Sequence, residues 1–126
     1  MSVYPTDIAI YSRAMYKVVW LVRFNEGMDR DDAIRHWREV HGEFGRRVPG
    51  IARYTQNVWL APVGEYEVER AATAFDGHSE VWFADEQTFR DAMESPEWAE
   101  MVADAPNFFD SSTMVGAVLD EYEVIK

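Results

Sequence analysis

The stretch YKVVWLVRF, residues 16–24, is apolar without a break from Val18 to Val22. Its β-branched and aromatic residues read as a strand. A strand with one wet face alternates polar and apolar side chains; this one does not, so both of its faces must be covered. That requirement limits the architectures open to the chain more than any other feature.

The segments that follow supply cover for one face. Asn25-Glu26-Gly27 ends the strand, and Asp29 is placed to cap a helix whose first turn carries Asp31 and Asp32, where the helix dipole favours acids. Ile34, Trp37, His41, Phe44 and Val48 recur at the three-four spacing of one helical face, the helix reaching Phe44 or Gly45 before Pro49-Gly50 stops the pattern. A second strand runs from Ile51 to about Leu60. Residues 61–78 then form a long polar connection with room for a short hairpin, closing on the turn pair Asp76-Gly77. SEVWFA, 79–84, is a third strand. Asp85 caps a second helix with Phe89, Ala92 and Met93 on its core face; Ser95-Pro96 restarts it through Trp98, Met101 and Val102, and Pro106 ends it. The last strand lies between Met114 and Ile125.

The order βαββαβ gives an α+β fold, a four-stranded antiparallel sheet with both helices on one face. The other face is then left aromatic and bare. A second copy is expected to cover it, giving a homodimer whose two sheets enclose a space. One domain, 16–126, accounts for the pattern. Met15-Tyr16-Lys17 enters the first strand as a gene start would, so residues 1–15 read as an N-terminal extension.

Composition narrows the partners. Acidic residues outnumber basic ones 23 to 12, and the net charge of −11 repels nucleic acid and anionic lipid. Seven cations nonetheless fall between Arg23 and Arg53; they either steer a carboxylate-bearing small molecule or pair with acids along the helix. The absence of Cys removes disulfides, thiolate nucleophiles and thiolate metal sites. VVWLV is far too short to span a membrane, and a soluble cytoplasmic protein is expected.

His36 and His41 invite a metal-pair reading. On an α-helix, positions five apart diverge by about 140° and cannot chelate one ion, so no metal site is expected. His36 falls beside Arg35 on the outer surface, solvated, whereas His41 shares the face of Trp37 and Phe44. Two readings stay open for His41: a core histidine bonded to a carbonyl, or a general acid/base near a pocket. His78, beside the Asp76-Gly77 turn, is a third candidate. On strand three, Glu80 and Trp82 fall on the face expected to be enclosed, and a carboxylate there must be bonded, paired or functional. On strand two, Tyr54 and Gln56 alternate with Arg53, Thr55 and Asn57, so either register puts polar groups into that space.

Trp37 and His41, the basic Arg46 and Arg47, Pro49-Gly50 and Arg53-Tyr54 resemble the EthD family, with Ile34 where that family's pattern has Phe. Asp76, Gly77, Glu80, Trp82, Phe83, Asp85, Glu94, Ser95 and Pro96 match its later pattern. The extension, the long 61–75 connection and His78 depart from it. The resemblance implies a ferredoxin-like monomer forming a dimeric α/β barrel, in a family of diverse chemistry that includes a methylmuconolactone isomerase. The expected function is cofactor-independent proton transfer, an isomerase, lyase or cyclase acting on an aromatic-derived or lactone-like small molecule. In it His41, Tyr54, Asn57 and His78 are the catalytic candidates, and Phe24, Trp37, Arg47, Glu80 and Trp82 line the substrate. The alternatives are an oxygenase or haem-handling barrel and a non-catalytic binding protein.

Overall fold

A computed structural model describes residues 15–61, 63 and 75–126; the proposed extension and most of the 61–78 connection lie outside them. Four strands, β1 (Tyr16–Val22), β2 (Ile51–Val58), β3 (Gly77–Phe83) and β4 (Val115–Leu119), form one sheet in the order β2-β3-β1-β4. All neighbours are antiparallel. Between β1 and β2 lies a helical stretch in three parts: α1 (Arg30–Arg35), a π-helical segment (His36–His41) and α2 (Gly42–Arg47). Helices α3 (Glu86–Met93) and α4 (Pro96–Asp104) separate β3 from β4, followed by short 3-10 turns at Ala105–Asn107 and Ser111–Thr113. This is the ferredoxin-like βαββαβ arrangement the sequence predicts, although β4 is shorter than the span from Met114 to Ile125.

The helix starts are where their caps place them. The side chain of Asp29 accepts the Asp32 N–H at 3.1 Å, that of Asp85 accepts Thr88 N–H at 2.7 Å, and Ser95 Oγ accepts Trp98 N–H at 3.2 Å. Each bond satisfies an N–H that the first helical turn leaves unpaired. At the other end of α2, Gly50 takes φ +88°, a conformation that side-chain-bearing residues rarely adopt, and reverses the chain into β2. Met93 and Val102, expected in the core, are instead 41% and 53% exposed; Phe89 and Ala92 suffice to dock α3.

Strand alternation sorts the sheet into two faces. Toward the helices point Tyr16, Val18, Trp20 and Val22, with Tyr54, Gln56 and Val58 on β2 and Ser79, Val81 and Phe83 on β3. The core on this side falls into two clusters. One gathers Val22, Phe24, Ala33, Trp37, Ala105, Phe108 and Phe109; the other gathers Val18, Val48, Val81, Phe83, Phe89 and Ala92. Between them runs one transverse row of paired positions, Gln56↔Ser79↔Trp20↔Gly116, which carries an amide, a hydroxyl and an indole. The apolar interior is thus split by a polar seam.

The opposite face is not the bare aromatic surface expected. Lys17 and Val19 are each 8% exposed within the single chain. Lys17 Nζ pairs with Glu80 at 3.0 Å and with Glu121, beyond β4, at 2.9 Å, and lies 4.6 Å from the centre of the Trp82 ring. Arg53 also lies 4.6 Å from that ring centre. Charged groups that satisfy one another and an aromatic flanked by two cations occupy the middle of this face.

The ends of the β2–β3 connection are clasped. Asp76 Oδ2 accepts the Phe24 N–H at 2.7 Å and Oδ1 accepts Arg30 Nη1 at 2.9 Å, while Arg30 Nη2 donates to the Trp59 carbonyl at 2.7 Å. Below the clasp, Gly77 is a close-approach position: an added Cβ would meet the Asn57 carbonyl and come within 3.0 Å of the Trp37 ring. Gly77→Ala is therefore expected to cost about 1–3 kcal/mol by overpacking. Gly42→Ala, whose nearest contacts would be at 3.6 Å, should be neutral or stabilising. Urea unfolding of both variants checks this, and equal midpoints would remove the close approach as a constraint.

Candidate active site around His41

The helix between β1 and β2 does not keep an α-helical repeat. From His36 to His41 it is a π-helix, and the Gly42 N–H reaches back five residues to the Trp37 carbonyl. That carbonyl also accepts Gln56 Nε2 from the polar seam at 2.7 Å. With bonds from i to i+5 the helix is underwound, and residues five apart diverge far less than on an α-helix. The 140° divergence derived for an α-helix does not apply, and His36 is not a solvated surface residue.

Both imidazoles converge on one carboxylate at the end of α4. His36 Nε2 lies 2.8 Å from Asp104 Oδ1, and His41 Nδ1 lies 2.9 Å from Asp104 Oδ2. Asn107 Nδ2 donates to Oδ1 at 3.1 Å. Phe108 sits against both rings, stacked on His36 with centroids 5.3 Å apart and tilted to His41 at 5.0 Å; Phe109 meets His41 edge-on at 6.4 Å. These phenylalanines are fixed by backbone bonds to the continuation of β1: Asn25 N–H to the Phe108 carbonyl at 3.0 Å and Asp110 N–H to the Arg23 carbonyl at 2.9 Å.

Asp104 is the residue the sequence reading missed. An acid in the last turn of a helix opposes the helix dipole, and no basic residue shares that turn. An unfavourable placement of this kind calls for a cationic or hydrogen-bonding partner, and that was the available signal.

The electrostatics assign the proton positions. Burial is the largest influence on Asp104 and raises its pKa, but the bonds from Asn107, His36 and His41 together outweigh it and hold the carboxyl below its ordinary value. Burial is also the largest influence on His41. It pulls the imidazole below its ordinary value despite the bond to Asp104, with His36 pulling the same way. At neutral pH a neutral His41 therefore donates Nδ1–H to an ionised Asp104, and Nε2 carries a lone pair. Among the described residues none hydrogen-bonds to Nε2, and 10% of the side chain is exposed.

Tyr54 lies on the same side of the sheet, its ring beneath Gly45. Burial raises the pKa of its phenol, against hydrogen bonds with the Gln56 and Trp37 side chains. Gln56 Nε2 donates to the phenol oxygen at 3.1 Å, so the phenol's own proton is not used in that bond.

The remaining candidates do not join this group. Asn57, three residues from Tyr54, faces the other side of the sheet with His78, Glu80 and Trp82. That odd spacing turns Tyr54 and Asn57 to opposite faces of the sheet. Asn57 Nδ2 donates to Thr55 Oγ1 and to the His78 carbonyl, and His78 Nδ1 accepts the Trp59 indole N–H at 2.8 Å. Arg47 is exposed, with its guanidinium 5.7 Å from the Phe44 ring centre. Phe24 and Trp37 do lie on the His41 side, packed in the same core cluster as Phe108, with Trp37 only 1% exposed. No group of three or more acidic or histidine side chains among the described residues is arranged to hold a metal ion.

A histidine held neutral in the fold makes stability depend on pH in a defined sense. Below about pH 6.5, the ordinary histidine value, the unfolded chain takes up a proton at His41 that the native state resists, so stability falls as pH falls. A further loss sets in below 3.8, as the depressed Asp104 carboxyl becomes protonated. Urea midpoints measured between about pH 7.5 and 5 should drop less in His41→Gln than in the parent chain. Parallel pH profiles would show that His41 is not held neutral.

The sequence profile of the EthD domain matches residues 25–112. An EthD family protein from Bacillus halodurans C-125 is 21% identical with a TM-score of 0.68, the match covering 86% of this chain and 99% of that one. A hydroxynitrile lyase from Passiflora edulis is 16% identical, TM-score 0.61, over 88% and 98%. SnoaB, a cofactor-independent oxygenase from Streptomyces nogalater, is 12% identical, TM-score 0.59, over 89% and 97%. Two further matches are described as dimeric proteins of ferredoxin-like fold. No curated protein matches. With a profile that spans most of the domain and a fold shared over nearly its whole length, the chain belongs to the EthD family.

Proposed function

We propose that this protein is a cofactor-independent proton-transfer enzyme, an isomerase, lyase or cyclase acting on an aromatic-derived or lactone-like small molecule. The observation that carries the proposal is the bond of His41 Nδ1 to Asp104 Oδ2 at 2.9 Å, which leaves Nε2 with no described partner on a ring whose burial favours the neutral form. In that role Nε2 takes a proton from a carbon or hydroxyl of the substrate. The imidazolium that forms is stabilised by the Asp104 carboxylate 2.9 Å away. Tyr54 remains protonated and donates to the oxygen on which negative charge develops. Phe24 and Trp37 supply the apolar wall behind the pair. Asn57, His78, Glu80, Trp82 and Arg47 are outside this arrangement within one chain.

Deuterium exchange tests the base directly. The protein is incubated in D₂O with a panel of aryl cyanohydrins, enol lactones and aryl β-keto esters, and incorporation is read by proton NMR. Exchange above the buffer rate is expected for at least one class, falling roughly 10²- to 10⁴-fold in His41→Gln. Binding without exchange or turnover across the panel would favour the ligand-binding alternative. The likeness to a cofactor-independent oxygenase supports a second reading, in which the deprotonated substrate reacts with O₂; oxygen uptake measured in the same mixtures separates the two.

We further propose a cytoplasmic homodimer joined through the sheet face that carries Trp82, where Val115 and Leu119 remain 49% and 37% exposed. No helix among the described residues is long and apolar enough to cross a membrane. Light scattering at micromolar concentration should give twice the chain mass, and a stable monomer would overturn this assembly.

A further inference from the structure

We propose that His36 is a positioning residue whose charge sets how readily His41 accepts a proton, acting through the Asp104 carboxylate that both rings share. The inference rests on the reading of His41 as the proton acceptor and assigns a role to a residue that reading does not use.

The three groups form a graded path from solvent to interior. The His36 side chain is 23% exposed, that of His41 10%, and that of Asp104 5%. Asp104 carries one negative charge and bonds both rings, one through each oxygen. With His36 neutral, that charge is available to stabilise a protonated His41. An imidazolium at His36 pairs with the ionised carboxylate and places a like charge across Asp104 from a protonated His41, so the same protonation of His41 becomes harder. The π-helical segment makes this sharing possible, because it brings residues five apart onto one target. Stacking on Phe108 fixes the plane of the His36 ring.

The surroundings leave the coupling dominated by these three groups. On the helix, Arg35 is paired with Asp32 at 3.0 Å and turned to solvent. From the α4 side Asp104 faces the rings, with Asn107 as its third donor; from the segment after it come only the uncharged Phe108 and Phe109. Among the described residues no other titratable group hydrogen-bonds or ion-pairs with either imidazole.

Histidine side-chain NMR titration of the full chain tests this without a substrate. Three proteins are compared: the parent, His36→Gln, which keeps an N–H donor for Oδ1 but has no charge, and His36→Lys, which makes the charge permanent. The His41 midpoint should lie about one pH unit or more higher in His36→Gln than in His36→Lys, with the parent between these limits or at one of them. A purely structural role would give the two folded variants the same midpoint, and that result, or a higher midpoint in His36→Lys than in His36→Gln, overturns the inference. Failure of deuterium exchange would remove the proton-transfer reading while leaving these titrations unaffected, so the two failures are distinguishable.

Discussion

The bond pair at Asp104 is the interaction on which the site depends. A carboxylate buried without partners would be expelled or protonated; here two imidazoles and an amide satisfy it. In return it orients His41, fixes the proton on Nδ1 and ties the end of α4 to the middle of the helix between β1 and β2. Packing alone would hold those two elements together, since Trp37, Phe108 and Phe109 share a core cluster. What packing would not do is choose the rotation of the helix, and the shared carboxylate does that by requiring both histidines on one side.

Much of the architecture was legible because it rests on local rules. The succession of strands and helices along the chain, the three N-caps at Asp29, Asp85 and Ser95, and the stop at Pro49-Gly50 each follow from residues within a few positions of one another. The site was less legible for two reasons. The α-helical period was applied to a segment that is π-helical, which set His36 aside as solvated and excluded a shared partner with His41. The other reason was distance: Asp104 is 63 residues from His41, and nothing in the helix that carries the histidines announces it. Only its awkward position against the α4 dipole pointed to an unmet need.

The sheet separates two kinds of polar surface that a reading of side-chain types alone merges. On the helix side, the seam of Gln56, Ser79 and Trp20 interrupts an otherwise apolar interior and passes below the π-helical segment, where Gln56 bonds the Trp37 carbonyl. On the other side, Glu80 and Lys17 neutralise each other and Trp82 lies against two cations. The first surface is organised around hydrogen-bond donors and an unprotonated ring nitrogen. The second is organised around compensated charge.

The clasp of Asp76 and Arg30 bears on how the chain can vary. Both ends of the β2–β3 connection are pinned, Trp59 by Arg30 and Asp76 by the backbone of Phe24, so the two strands are clasped together at their base. Lengthening a loop already closed in this way costs only about 0.6 kcal/mol per doubling. Pinned at both ends, this connection is a place where sequences can diverge in length while the clasp at Asp76 and Arg30 stays in position.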